Sequence, residues 1–482
     1  MRSGTYRVPV TGDGAHQLGG VDPGASPWAP VEPAGAPGPE LVWTSPPAAL
    51  AGPAAGRRRG GVRTAAAIVA VLACALGVVA VVGPHLASTG HAYRLAVASG
   101  AAAPGSVAGP GQGARPDDRD QQIAALLARR GAAVTGDDAA AYARTQTAGA
   151  LTPLFARLAA LPLTVWDYRV LSTVEQGPAA VQLDVRLHLR LDADTTDAVV
   201  HEHVTLARDA SGWRVSAEAT ADRRAQPWDL GTLTVVHGSR SLVIGVDTPV
   251  SALRGYARLA DAAVPAVSAV WGAGWSQRPV VLVPATTAQL GRALARTAAS
   301  LDGYAAVTTG ELSDGGDRST SALRVWLNTP GMAPLSAVGR QVVIRHEITH
   351  VATDAPGTPG VPLWLEEGFA EYVGYRDSGI ALGDELRELV AAARSGHGPD
   401  TLPTRATFQG QQVDIAYEGG DLACRVLADR YGQKGLVEVY RLTAAGTGTE
   451  AQNLDAALRE VTLSGTAALE ASWRARLRLL AG

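Results

Sequence analysis

Lysine is all but missing from this 482-residue chain: Lys434 is the only one, and arginine carries nearly all the positive charge. Together with abundant Ala and Gly, this is the composition associated with GC-rich bacterial genomes, and it says nothing about chemistry. Cysteine is almost as scarce. Cys74 and Cys424 are the two present, and neither belongs to a C-x-x-C pair. That excludes a disulfide framework and cysteine-ligated zinc as organising principles. Cys424 reads as a buried helical residue rather than a nucleophile. An excess of positive charge is lacking too. The 42 basic and 45 acidic residues leave a net charge of −3 with no basic face, so nothing points to nucleic acid as a partner. The length exceeds one domain and suits two or three plus linkers.

One stretch lacks charge altogether. Thr64 to Val82 is an uninterrupted apolar run, long enough to cross a hydrocarbon core as a helix. Arg57, Arg58, Arg59 and Arg63 precede it, whereas no Lys or Arg follows until Arg94. The positive-inside rule then predicts residues 57–84 as a single-pass anchor of type II, engaging the lipid bilayer with the N-terminus cytoplasmic and the rest of the chain outside. A cleaved signal peptide is the competing reading, but 56 residues make an unusually long leader.

Residues 1–56 hold ten Pro and ten Gly with no sustained periodicity. Such a segment buries too little surface to offset its ordering entropy, so a disordered cytoplasmic tail is expected. Residues 85–116 read as a flexible external linker. Beyond them the texture changes. Helices are expected over Gln121 to Thr145, broken near Gly136, and around Ala150 to Ala160. Val181 to Leu191 alternates apolar and polar residues with period two, and Val204 to Val215 reads as a hairpin turning at Asp209–Gly212. His201 and His203 sit two apart on a strand, where solvent-facing histidines are expected. Helices followed by an antiparallel sheet resemble the NTF2-like fold over residues 117–228.

Residues 229–482 read as one further unit. Short strands are expected at Thr232 to Val235, Leu242 to Ile244, Val280 to Val283 and Ala322 to Asn328. Helices are expected at Ala252 to Trp271, Thr287 to Leu301, from Ser336, and at Leu363 to Tyr375. The helix opening near Ser336 carries His346-Glu347-Ile348-Thr349-His350, an H-E-x-x-H pattern. His346 and His350 lie four apart on one face and can hold one zinc ion, with Glu347 on the flank. A catalytic zinc needs a third protein ligand and an open position. Glu366 and Glu367 are the nearby carboxylates. Glu367 has Glu371 four residues later on its own face, where Glu371 can accept the outer N–H of a ligating imidazole. Glu366 has only Ala370 there, so the spacing selects Glu367.

These residues carry a resemblance. Trp364, Leu365, Glu367, Gly368, Ala370 and Tyr372, after the H-E-x-x-H helix, resemble the W-L-x-E-G-x-A-x-Y segment of gluzincin zinc metallopeptidases, the peptidase MA-like domains. The resemblance implies an α+β, zincin-like fold over residues 229–482, with one zinc ion per chain on His346, His350 and Glu367. It also implies a peptide or protein substrate and Glu347 as general base. Tyr417 is the candidate oxyanion donor, because related enzymes place a tyrosine on a helix downstream of the third ligand. The chain departs from the aminopeptidase branch: it has no G-x-M-E-N segment, so aminopeptidase activity does not carry over. The expected function is a membrane-anchored metalloendopeptidase. The alternatives are a catalytically degenerate zinc-binding module and a cell-surface adaptor working through the NTF2-like part. The intact Glu347 speaks against degeneracy.

Overall fold

Strict alternation in sequence becomes a strand with one dry face. The computed structural model describes residues 42–44, 116–148, 152–221, 223–312 and 320–482. The first described element is β1 (Val42–Thr44). Three helices follow, α1 (Pro116–Thr135), α2 (Ala139–Ala143) and α3 (Thr152–Leu158). The break at Gly136 separates the first two, and the Asp138 carboxylate caps α2 by accepting the Ala141 N–H at 2.8 Å. Next come β2 (Leu163–Gly177), β3 (Ala180–Leu191), β4 (Ala198–Asp209) and β5 (Gly212–Thr220), an antiparallel meander in spatial order β2-β3-β4-β5. On β3, Val181, Leu183, Val185, Leu187, Leu189 and Leu191 are all buried, as the alternation predicts. The β4–β5 hairpin turns at the expected place, with Asp209 paired to Gly212. His201 is exposed, and His203 is half-buried against Asp184.

The space between α1 and this sheet is closed by a charged core. Arg130 is fully buried and bonds Glu218 through Nε at 2.9 Å and Nη2 at 2.6 Å. The Tyr168 hydroxyl donates to Glu218 at 2.7 Å and itself accepts from the Trp166 indole at 2.9 Å. A guanidinium with this many acceptors is satisfied without water.

After the short α4 (Pro227–Leu230) a second sheet is built from β6 (Leu233–His237), β7 (Leu242–Val246), β8 (Val280–Pro284), β9 (Ala306–Leu312) and β10 (Thr320–Leu327). With β1 its order is β1-β9-β10-β8-β7-β6. The β7–β8 and β8–β10 pairs are parallel, and β6–β7, β9–β10 and β1–β9 are antiparallel. The parallel pairs need crossovers, which α5 (Val250–Trp271) and α6 (Thr287–Ala293) supply. A single helix over Thr287 to Leu301 was expected; α6 instead stops at Ala293 and a 3-10 turn follows at Ala298–Leu301. Ala295 takes a left-handed φ of 50°, and the Arg296 N–H closes back on the Gly291 carbonyl at 2.8 Å, a Schellman-type stop.

After α7 (Thr329–Met332) comes α8 (Ala337–Thr353), capped by Ser336, whose hydroxyl accepts the Gly339 N–H at 3.0 Å. It ends at Asp354, held at φ 51°, ψ 42°, with Pro356 just beyond. Then follow α9 (Leu363–Tyr375), α10 (Leu382–Glu385), α11 (Arg387–Arg394), α12 (Val413–Ala445), α13 (Glu450–Thr462) and α14 (Thr466–Ala481). Gly432, at φ 75°, kinks α12.

Two expectations need restating. Val42–Thr44 was assigned to a disordered tail; its main chain instead pairs with Val307–Thr309. A three-residue strand needs only a free sheet edge, which sequence periodicity cannot reveal. The apolar run at residues 64–82 lies outside the described residues, among which no helix is long and apolar enough to cross a membrane.

The two sheets are clamped by a buried ion pair. Arg324 on β10 reaches the Asp194 carboxylate with both terminal nitrogens, at 2.6 and 2.7 Å. Their side chains are only 9% and 5% exposed, so neither charge can fall back on water. Asp194→Ala should therefore cost about 3–5 kcal/mol in a denaturant melt, since it removes the charged partner of a buried guanidinium. Exchanging both partners for apolar residues of similar size should cost far less.

Candidate metal centre

Helix α8 is buried along nearly its whole length, packed between the sheet and helices α5 and α9. Burial in turn fixes where its polar residues point. His346, Glu347 and His350 are each no more than 1% exposed. α9 lies across α8 and adds Glu367, 2% exposed. The His346 and His350 Nε2 atoms are 3.0 Å apart, and Glu367 Oε2 lies 3.3 Å from the first and 3.5 Å from the second. Tetrahedral zinc bonds of roughly 2.0–2.1 Å to nitrogen and oxygen place neighbouring donors about 3.3 Å apart. The triangle has the size of one face of such a tetrahedron. Among the described residues these three form the one cluster of His, Cys, Asp and Glu able to hold a metal ion.

Charge balance agrees with the geometry. Burial lowers the His350 imidazole to about 3, leaving it in the neutral form that ligates. Glu371 Oε1 is 3.0 Å from His346 Nδ1, the side of the ring turned away from the triangle. Burial, with Asp421 and Glu367 close by, pushes the Glu371 carboxyl well above the carboxylate range. Glu366, 2% exposed and outside the triangle, is pushed up by burial and by Glu367. Carboxyls crowded in a dry pocket are what a divalent cation relieves. The residues present fit zinc.

A second tier sits behind Glu371. On α12, Tyr417, Asp421 and Arg425 recur every four residues and so share one face. Arg425 bonds Asp421 at 2.7 Å and also bonds Glu385 of α10. Burial, with Asp421 beside it, pushes the Glu385 carboxyl up, and the Arg425 guanidinium pulls it back down. The i, i+4 spacing was visible in the sequence, but its proximity to Glu371 was not.

Helix α12 approaches α9 very closely. A Cβ on Gly368 would lie 2.2 Å from the Gly420 carbonyl carbon, and one on Gly420 would lie 2.6 Å from the Trp364 carbonyl oxygen. Only glycine at both positions permits this crossing, and it carries Tyr417 inward. The Tyr417 and His346 rings are 6.4 Å apart, and Phe408 braces the tyrosine edge-on at 5.1 Å. Cys424 is fully buried, and burial pushes its thiol well above the usual value, as expected of a packed, inert residue.

Thr308 on β9 escaped the sequence reading. Its hydroxyl meets the Glu347 carboxylate at 2.5 Å. Nothing in the local sequence marks it.

No family model and no curated protein matches the sequence. Among solved structures, a mutant M1 zinc metallopeptidase from Deinococcus radiodurans bound to a Tyr-Ser-Ala substrate is 11% identical. The alignment covers 66% of this chain and 61% of that one at a TM-score of 0.29. A second structure of a mutant M1 zinc metallopeptidase from Deinococcus radiodurans is 13% identical over 67% and 62%, at a TM-score of 0.27. A two-domain M1 zinc metallopeptidase mutant bound to L-tryptophan is 12% identical over 66% and 61%, at 0.28. This chain thus spans about three-fifths of the length of these neighbours, and a likeness this distant carries no argument about activity.

The triangle separates the two candidate carboxylates. Glu367→Gln should sharply lower zinc content measured on the purified chain, whereas Glu366→Gln should leave it near one ion. Glu371→Ala should fall between, weakening metal affinity by about 10–100-fold. Metal loss in Glu366→Gln alone would reverse the assignment.

Proposed function

We propose that this chain is a zinc metallopeptidase cleaving internal peptide bonds, with one zinc ion held by His346, His350 and Glu367. The donor triangle, with a buried glutamate next to the first histidine, is the observation that carries this reading. Zinc bound there supplies Lewis-acid polarisation of the scissile carbonyl and lowers the pKa of water to about 7. The protein's own groups do the rest. The Glu347 carboxylate takes the proton of the attacking water and delivers it to the leaving amine. The Tyr417 hydroxyl donates a hydrogen bond to the oxygen that becomes negative as the carbonyl carbon turns tetrahedral. Glu371 keeps the His346 ring oriented and its outer proton in place.

The substrate is an extended peptide held along β9. In support, β1 pairs antiparallel with the outer edge of this strand, as an extended peptide would. Residues 117–228 form an NTF2-like module carried alongside the peptidase unit.

The anchor at 64–82 and the β1 pairing compete, because a tail across a bilayer from the sheet cannot join it. The run contains nine Ile, Leu and Val residues. At about −0.3 to −0.6 kcal/mol each they favour insertion by roughly 3–5 kcal/mol. Three cross-strand pairs contribute about 0.2–1 kcal/mol each. In a membrane the span prevails and β9 is left free for substrate. A C-terminal reporter should then be accessible outside intact cells, with the N-terminus shielded; the reverse labelling would remove the type II arrangement.

Glu347→Gln keeps the side-chain shape without a base. The variant should fold, retain about one zinc per chain, and lose at least 10²–10⁴-fold of peptide hydrolysis. A wild-type chain that holds zinc yet cleaves nothing in a broad peptide library would favour a binding-only module instead.

A further inference from the structure

We propose that Thr308 is a positioning residue for Glu347: its hydroxyl, delivered from the sheet rather than from the zinc helix, holds the carboxylate in the orientation that proton transfer requires. The inference rests on the reading of Glu347 as general base.

Thr308 is fully buried, and its Oγ1 lies 2.5 Å from Glu347 Oε2. The same oxygen is 3.2 Å from the Glu347 carbonyl. One hydroxyl has one proton, and a charged acceptor at the shorter distance takes it. The carbonyl contact shows instead how tightly strand and helix are pressed together here.

The placement of this hydroxyl is set by β-sheet register. Thr308 pairs with Val325 of β10, so its backbone is fixed by the ladder. Side chains alternate across a strand, and Thr308 faces α8 while Thr309 faces the other way. Thr309 lines a small cavity with Arg324, Trp326 and Trp228, between the two sheets. A one-residue slip of β9 would exchange the two threonines and remove the contact. Glu347, for its part, has a long side chain on a helix whose backbone cannot by itself fix the outer torsions. A donor from a second rigid element removes that freedom.

The test uses the full-length chain in detergent with two variants. Thr308→Val keeps the β-branched shape and removes the hydroxyl; Thr308→Ser restores a hydroxyl. Three quantities are measured: zinc content, kcat and KM on a peptide substrate, and affinity for a peptide hydroxamate. A hydroxamate binds zinc through both oxygens and shares its hydroxyl proton with a neighbouring carboxylate, so its affinity reports the placement of Glu347 without turnover.

Thr308→Val should retain its zinc, lose about 10–100-fold in kcat at unchanged KM, and bind the hydroxamate weaker by a similar factor, the range for a hydrogen bond to a charged group. Thr308→Ser should recover most of both. The inference is overturned if Thr308→Val matches wild type, if it loses zinc, or if Thr308→Ser is as impaired as Thr308→Val. A wild-type chain that binds zinc and hydroxamate but cleaves no peptide would remove the peptidase reading alone, and hydroxamate affinities of the variants would still decide the role of Thr308. Failure of the wild-type, zinc-loaded chain to bind hydroxamate would overturn the inference itself.

Discussion

Three donor atoms within 3.5 Å of one another, all buried, form the constraint on which the rest of this structure depends. Two imidazoles and a carboxylate gain nothing from such crowding on their own. Removing them from water costs several kcal/mol per charged group, and more carboxyls stand immediately behind. The arrangement makes physical sense as a cage for a small divalent cation, whose charge offsets the acids and whose bond lengths set the spacing. The burial of α8 and α9, and the outer contact of Glu371 on His346, follow from that requirement.

The scaffold holds the cage from two directions. From below, the mixed sheet presses β9 against α8 and brings Thr308 to Glu347. From the side, α12 reaches α9 through the paired glycines Gly368 and Gly420, and the close approach brings Tyr417 toward His346 and Asp421 toward Glu371. Helix packing normally keeps axes 8–10 Å apart, a distance set by the side chains at the crossing. Removing both side chains at the crossing point is how two helices come nearer. The meander of β2 to β5 adds no residue to the cage. Its contribution is the Asp194–Arg324 clamp and an apolar face on the far side of β9 and β10.

Much of the outline was legible in the sequence. The alternation on β3, the turn at Asp209–Gly212, the proline stop after α8 and the bounds of α9 are local signals, and local signals are strong where one face is buried. The reading failed where competing local chemistry intervened. Thr287 to Leu301 has helical composition throughout, yet Ala295 adopts a left-handed φ because the closing bond from Arg296 to Gly291 outweighs continuing the helix. The short strand Val42–Thr44 was invisible for the opposite reason: three residues carry no periodicity, and only a waiting sheet edge makes them a strand.

By itself the sequence determined which residues could ligate a metal, because H-E-x-x-H on a helix and Glu367 with Glu371 on the next each obey the four-residue repeat of an α-helix. Spacing along one helix is a local property. What only the tertiary structure decided is which groups from other elements meet them. Thr308 lies 39 residues from Glu347 in the chain. Asp421 and Arg425 come from a helix well beyond Glu371. Those meetings depend on sheet register and on the depth of one glycine-lined helix crossing, and both are set by the packing of the whole unit rather than by any stretch of sequence.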